Sequence, residues 1–386
     1  MKRIISLLTL IFILALTACA NTTPGGPDSS DTTLPPDTSS TPEETTTPPA
    51  VTIAEPDTTA PDTTDVPVGP VEPEYVNPLT GLAATKELVS SRPVAIMLNN
   101  IKIASPQDGI SGADVIYECL AEGGITRLMM LTLDYASLGV VGSIRSAREY
   151  FVEFSQDFDA IFVHAGGSDG AYSEIFSRKL ENLDFVNGSN VDAYYYRDEW
   201  RMNNMGYVHS VVTTGSRLSA AFEAKKFRTT ISPFHENMLN FVDFGTEFLP
   251  AGGTAKSVTI PHSIVQTSSF VYDPERNVYD HYQFGGELHI DRLTKEPVST
   301  TNVIILFMKE SLVPNDPAFR INVETVGSGE GVYLYGGKFT SIKWSRPSDS
   351  DTTKLTLTDG TPLKINRGKT FISIVDTSIK NNIKVE

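Results

Sequence analysis

The sequence predicts an α+β fold: an α/β N-terminal lobe with a partly parallel sheet, packed against a mostly antiparallel β C-terminal lobe. Two observations carry this expectation. Between residues 139 and 180, strand-length apolar runs alternate with helix-period segments over short connections, the pattern of a parallel α/β unit. Beyond residue 229 the hydrophobic period shifts towards two, with Gly, Asp and Pro at the breaks. A third observation sets the boundaries: residues 20–74 hold few aliphatic residues and no aromatic ones, so they cannot offset their own ordering entropy. The expected division is a signal peptide at 1–18, a lipidated cysteine and disordered stalk at 19–74, the α/β lobe at 75–228 and the β-rich lobe at 229–386.

Lys2 and Arg3 precede the apolar run Ile4 to Leu16. That run is too short to span a bilayer but suits a cleavable signal segment. It ends in Leu16-Thr17-Ala18-Cys19, a lipobox: an aliphatic residue, two small residues and a cysteine whose thiol becomes a thioether to diacylglycerol. Two or more acyl chains on Cys19 give durable anchoring, where one chain is marginal. The expected location is the outer face of the cytoplasmic membrane, or an outer membrane in a host that has one. Cys119 is the one other cysteine, so lipidation of Cys19 leaves no intramolecular disulfide. It stands in the apolar stretch Val115–Leu120 and reads as a small core residue.

The stalk carries eleven acidic residues and no Lys or Arg. Of the net charge of −16, the body from Tyr75 onward therefore holds −7. Repeated prolines and like charges favour extended conformers, and about 55 residues reach on the order of 170 Å when fully extended.

In the N-terminal lobe, Arg92–Leu98 is a near-continuous apolar run of strand length. Val115–Ala121 and Ile125–Leu133 are two further strands, and Glu122-Gly123-Gly124 supplies the backbone freedom of a hairpin turn between them. Gly139–Ile144 predicts a short strand, and Ala147–Asp157 a helix with Tyr150, Phe151 and Phe154 inward. Asp159–Val163 predicts a strand, and Ala171–Leu180 a helix with Tyr172, Ile175 and Phe176 on one face. Ser216–Phe227 predicts a last helix. In the C-terminal lobe, short strands are expected at 257–260, 269–272, 287–290, 302–308, 331–335, 338–343 and 371–375, with Gly327–Gly331 as a turn.

If the strands at 139–144 and 159–163 are parallel neighbours, both following loops emerge at one sheet edge, where open α/β sheets place ligands. The first loop carries Arg145 and Arg148, the second His164, Gly166, Gly167 and Ser168, each at a helix start. Helix starts offer unpaired N–H groups to an anion. Arginines there oppose the helix dipole and ask for a carboxylate (Glu118, Glu122 or Glu149) or a bound anion. The expected ligand-binding set is Arg145, Arg148, Gly166, Gly167 and Ser168, with Glu122, Arg127 and His164 close by. His164 and His209 are the candidate general bases if the site performs chemistry. His289-Ile-Asp291 offers two potential ligands on one strand face and no third in register, so no metal is expected, and no cofactor motif is present. Low positive charge argues against nucleic acid.

From residue 77 onward the chain carries, in order, Asn77-Pro-Leu-Thr-Gly81, Arg92–Asn100, Ala113–Glu118, Glu122–Arg127, Ile144–Arg148, Asp159–Ser168 and Tyr196-Arg-Asp198. This order of motifs resembles the YerB-like lipoproteins, a bacterial family whose domains are of unknown function. The chain departs from the pattern at Ser105, where Arg precedes Pro-Gln, and at Tyr207-Val-His209, which replaces a Pro-His pair. The resemblance implies a lipoprotein with a two-part body and no established activity. The residues themselves give three readings: a cell-envelope accessory binding an anionic wall ligand, a hydrolase or transferase on such a ligand, and a protein-binding accessory of a wall-synthesis enzyme. The first leads.

Overall fold

The computed structural model describes residues 71–386. The expected signal peptide, Cys19 and the stalk up to residue 70 lie outside the described residues. Among the described residues, no helix is long and apolar enough to cross a membrane.

In chain order the N-terminal part forms α1 (Lys86–Val89), β1 (Val94–Asn100), β2 (Val115–Leu120), β3 (Thr126–Thr132), β4 (Val140–Gly142), α2 (Glu149–Gln156), β5 (Ile161–His164), α3 (Asp169–Ser177), β6 (Asn182–Asp184), β7 (Tyr196–Arg197), α4 (Glu199–Met205), β8 (Val211–Thr214) and α5 (Gly215–Lys225). The C-terminal part adds β9 (Gly253–Thr254), β10 (Ser257–Pro261), β11 (Thr267–Asp273), β12 (Val278–Gln283), β13 (Glu287–Leu288), β14 (Ser299–Thr300), β15 (Asn302–Met308), β16 (Glu310–Leu312), β17 (Ile321–Val323), β18 (Gly327–Tyr335), β19 (Lys338–Arg346), β20 (Lys354–Leu357), β21 (Thr370–Asp376) and β22 (Lys384–Val385).

The main sheet runs β20-β19-β18-β15-β21-β2-β3-β1-β5-β6, with β9 beside β19. Its parallel pairs are β15/β21, β2/β21, β1/β5 and β5/β6. β1, β3 and β15 are buried at every position, which is why they read as unbroken apolar runs: both faces of the sheet are covered. On one face, Tyr150 and Phe151 of α2 and Ala171 of α3 share a core with Ala95, Met97 and Tyr117. On the other, Val258, Ile260 and Phe270 pack with Ile96, Ile116 and Phe371. Those three belong to a second, antiparallel sheet in the order β13-β12-β11-β10-β22, with β14 beside β12. Its strands β10 and β12 alternate between buried and half-buried positions, the period of two read from the sequence.

The fold class is the expected one, and four details differ. The strand at 139–144 is not a parallel neighbour of β5. β4 instead joins β8 and β7 in a small antiparallel sheet, held by the Asp108 N–H on the Gly142 carbonyl at 2.6 Å and by the buried Arg201 on that same carbonyl at 3.3 Å. Phe176 is 83% exposed, so α3 buries Ala171 and Ile175 and turns Phe176 outward. Gly327–Gly331 is strand, not turn. A Cβ at Gly329 would stand 2.5 Å from the Trp344 Nε1, so glycine there admits the indole, which donates to the Phe307 carbonyl at 2.9 Å. Finally, the two parts are joined through one sheet as well as packed: β21 lies between β2 and β15.

Candidate functional site

The two loops singled out in the sequence do run side by side, although not because their strands are neighbours. The Arg145 N–H donates to the Met97 carbonyl at 3.0 Å, and the Ala165 N–H donates to the Arg145 carbonyl at 3.0 Å. The Ala147 N–H reaches the Gly166 carbonyl at 2.9 Å, and Ala147 bridges Gly167 in parallel. The loop 145–148 thus lies as an extended segment along 165–168, near the carboxyl ends of β1 and β5.

Four charged side chains gather there. Glu122, from the β2–β3 turn, accepts from Arg127 with one carboxylate oxygen and from Arg148 with the other, at 2.6 Å in the second case. Arg127 is 1% exposed and also donates to the Ser146 carbonyl at 2.7 Å. Burial, against the pull of Glu122, pushes its guanidinium down to about 10, and the charges of Arg148 and Arg145 add to the shift. Burial alone would raise the Glu122 carboxyl, yet Arg127, Arg148 and then Arg145 hold it below the usual range. Arg145 makes no ion pair among the described residues. Its Nη1 donates to the Val208 carbonyl at 3.0 Å, and its Nε is buried without a partner. Burial lowers its pKa as well; Glu122 opposes the shift and Arg148 reinforces it. Two guanidinium groups therefore pair with one carboxylate, and a third stands near enough to feel its charge without pairing with it.

The glycine loop is a different matter. The expectation of free donors at Gly166 and Ser168 is not met. Gly166 sits at φ +76°, and its N–H already donates to Asp184 at 2.8 Å. Ser168 caps α3 by accepting from the Ala171 N–H at 3.2 Å, and its hydroxyl donates to Glu149 at 3.0 Å. Glu149 lies over Gly170, where a Cβ would meet its carboxylate at 1.8 Å, so a carboxylate of the chain itself occupies the start of α3. Gly167 lies in the same loop, paired with Ala147.

His164 is fully buried, with Nδ1 facing the Gly166 carbonyl at 2.8 Å and Nε2 facing Asn182 Oδ1 at 3.1 Å. Both ring nitrogens are engaged in holding the loop. His209 is differently placed. The Asn99 amide donates to its Nδ1 at 2.8 Å, which puts the proton of the neutral ring on Nε2. Burial, then the charges of Arg145 and Arg201, push its pKa down.

Two buried polar clusters escaped the sequence reading. Asp108 and Arg201 are fully buried and paired at 2.7 Å; Arg292 closes on the same carboxylate at 3.0 Å and stacks on Trp200 at 4.4 Å. Glu118 is the centre of the other. It accepts from Thr126 at 2.7 Å, from Ser268 at 2.8 Å and from Asn100 at 3.2 Å, with His262 Nε2 at 3.3 Å and His281 Nε2 at 3.9 Å. Burial would raise its pKa, but His262 and His281 bring it down to about 2.

A proton order runs away from this centre. The Gln107 amide nitrogen donates to the Asn99 carbonyl at 2.7 Å and to Asn100 Oδ1 at 3.1 Å, so its Oε1 accepts from His289 Nε2 at 2.7 Å. His289 Nδ1 then accepts from His281 Nδ1 at 2.9 Å. Asp291 accepts from the Ser111 hydroxyl at 2.9 Å and from the Leu293 N–H. Neither cluster has a local signature, because their members come from turns and strands far apart in the chain. Among the described residues, no group of three or more His, Cys, Asp or Glu has the arrangement of a metal site.

A cavity of about 420 Å³ stands at the opposite end of the sheet, where Asp114, Lys369 and Thr370 lie at the starts of β2 and β21. The Lys369 ammonium donates to the Ser111 carbonyl at 2.5 Å. Ligands of open α/β sheets lie outside the carboxyl ends of the strands, which favours the arginine cluster over this cavity.

The described residues define a class: an α+β body whose C-terminal strands complete an N-terminal sheet, with an arginine cluster at the carboxyl edge. Known proteins share its fold. The family described as "Protein of unknown function (DUF3048) N-terminal domain" matches residues 79–228, and the C-terminal domain of the same family matches 258–372. A protein of Bacillus subtilis (strain 168) named "Putative lipoprotein YerB" is 30% identical over 310 residues, which cover 77% of this chain and 85% of that protein. The crystal structure of YerB protein from Bacillus subtilis superposes with a TM-score of 0.68 at 27% identity, over 81% of this chain and 100% of the other. The chain belongs to the DUF3048 family, and its similarity to YerB extends over 77% of its length.

Proposed function

We propose that this protein is a lipid-anchored, extracytoplasmic accessory of the cell envelope that binds an anionic group, a phosphate or carboxylate of a wall glycopolymer or muropeptide, through Arg145 and Arg148. The lipobox at Cys19 and the name of the Bacillus relative support the anchor. One observation carries the binding site: Arg127 and Arg148 take up the single carboxylate of Glu122, and Arg145 beside them has no carboxylate partner among the described residues and keeps a buried Nε with no partner. The Arg127–Glu122 pair lies beneath and orients Arg148. Gly166, Gly167 and Ser168 shape the loop. If the site performs chemistry, the base is His209, since His164 has both nitrogens engaged.

Cys19→Ser is expected to move the protein from the membrane fraction to the soluble fraction. A mutant that stays with the membranes in wild-type amount overturns the anchor.

The binding site is tested by thermal melts with inorganic phosphate and with phosphorylated wall fragments. A ligand at a hundred times its Kd stabilises by about 2.7 kcal/mol, and the rise in melting temperature should shrink at high salt. Arg145→Ala is expected to abolish the rise and leave the unliganded melt unchanged, because no carboxylate loses a partner. Arg148→Ala is expected to lower the unliganded melt, because Glu122 then keeps Arg127 alone. No ligand-induced rise in the wild type, together with lost stability in Arg145→Ala, overturns the reading. Turnover of a wall fragment, lost in His209→Ala, replaces it with the enzyme.

A further inference from the structure

Three turns meet beside the arginine cluster, and two of them carry exposed apolar tips. The turn after β10 carries Ile264, fully exposed, and Val265, 60% exposed. It is fixed to the β2–β3 turn by the Ser263 hydroxyl, which donates to the Gly124 carbonyl at 2.6 Å. The β16–β17 hairpin carries Phe319, 62% exposed, and the Phe319 carbonyl accepts from the Gly123 N–H at 3.2 Å. On the far side of the arginines stand Tyr207 and Val208, both exposed; Val208 gives its carbonyl to Arg145, and Arg197 stacks on the Tyr207 ring at 3.5 Å. Ordered along the contacts, the surface reads apolar tips, Glu122 with Arg127 and Arg148, Arg145, then apolar tips again.

We infer that this edge of the body docks on an anionic lipid surface, with the tips entering the interface and the half-buried Arg145 facing headgroup phosphates. The inference rests on the anion site proposed above and names the source of its anion as a lipid. A ligand in free solution needs the arginines but gives no reason for isolated apolar side chains on both sides of them, whereas a bilayer interface takes both at once. Charge sets the orientation. The body from Tyr75 carries −7, so an anionic leaflet repels most of its surface and attracts this edge. A linker of about 55 residues, the number between Cys19 and the body, is long enough to let a chain anchored at Cys19 turn this edge back to its own membrane.

The test is co-sedimentation of the full chain carrying Cys19→Ser, so that no acyl chain contributes, with vesicles of phosphatidylcholine alone or with phosphatidylglycerol. Binding is expected to the anionic vesicles, to be weakened by salt, and to be about fivefold weaker in Arg145→Ala. The double variant Ile264→Ser, Val265→Ser, whose side chains touch no core, is expected to bind at least roughly tenfold less while keeping its melting shift with inorganic phosphate. Equal binding to both vesicle types, or wild-type binding by the tip variant, overturns the docking. No vesicle binding with an intact, Arg145-dependent phosphate shift overturns the docking and leaves the anion site standing. Vesicle binding without any shift from a soluble anion supports the docking and removes the soluble wall ligand. Dimerisation in solution that the tip variant abolishes assigns the tips to a second copy and overturns the lipid.

Discussion

Asp108→Ala is expected to be among the most damaging single substitutions in the body, lowering stability by about 3–5 kcal/mol. The carboxylate and its partner Arg201 are both fully buried, and Arg292 is mostly so. Removal of Asp108 leaves the Arg201 guanidinium in the interior with no carboxylate within pairing distance, only the carbonyls of Ala104, Pro106 and Gly142 and the Met205 sulfur. An uncompensated buried charge is far more costly than the loss of a surface pair. The damage reaches the site, because the same arginine holds β4, and the segment after β4 is the arginine loop. Thermal or urea unfolding of Asp108→Ala against wild type measures the effect. A midpoint close to wild type would show that Arg201 finds water or another partner, and would remove this cluster as the anchor of β4.

Acid is expected to loosen the contact between the two sheets in two stages. Burial pushes His281 down to about 4, and its ordinary value when unfolded is about 6.5. The folded state therefore binds fewer protons than the unfolded state between those values. Stability is fully present above pH 6.5 and falls as the pH drops towards 4, by about 3 kcal/mol in total. Burial lowers His289 too, with His281 adding to the shift, so it acts in the same direction. Glu118, held at about 2 by His262 and His281 against its burial, contributes above its unfolded value, and that contribution is lost as the pH falls on towards 2. Melting midpoints measured from pH 7.5 to 3.5 follow the first stage. His281→Phe keeps the ring between Phe270 and Phe371, whose centroids lie 4.9 and 4.7 Å away, and removes the titration. Its midpoint is expected to lie below wild type at neutral pH and to approach it in acid. Two parallel curves would show that His281 does not titrate in this window.

The elements legible in the sequence are those whose signal is local. β1, β3 and β15 announce themselves as apolar runs, and the Glu122-Gly-Gly turn as a hairpin, with Gly123 and Gly124 at φ +57° and +80°. α2 and α3 follow from period 3.6. Partners do not follow from period. The run at 139–144 predicts a strand equally well beside β5 or beside β8, and Asp108 with Arg201 decides between them. Phe176 has the spacing of an inward residue and lies at the rim of the helix, turned out. In the site, the arginines and Glu122 were within reach of sequence reasoning because unfavourable dipole placement asks for a carboxylate. The fate of the Gly166 and Ser168 donors was not, because it depends on Asp184 and Glu149, which no motif marks. The Glu118–His281–His289 chain was invisible for the same reason: β2, β12 and the segment after β13 meet only once both sheets are formed.

The place of β21 sets a schedule on the life of the chain. Residues 370–376 fill the middle of the main sheet, with Val115 of β2 opposite Thr370 and Met308 of β15 opposite Asp376. Synthesis proceeds from the amino end, so β2 keeps an unpaired edge until residues 370–376, more than 250 positions later, have been made. An open edge beside the apolar run Val115–Leu120 is a template for wrong pairing with another strand. Closure over so long a loop is slow, since the entropy of bringing the ends together precedes the contacts that reward it. The nascent body therefore has a long interval of vulnerability to aggregation, and no stopping point at the boundary between its two named halves.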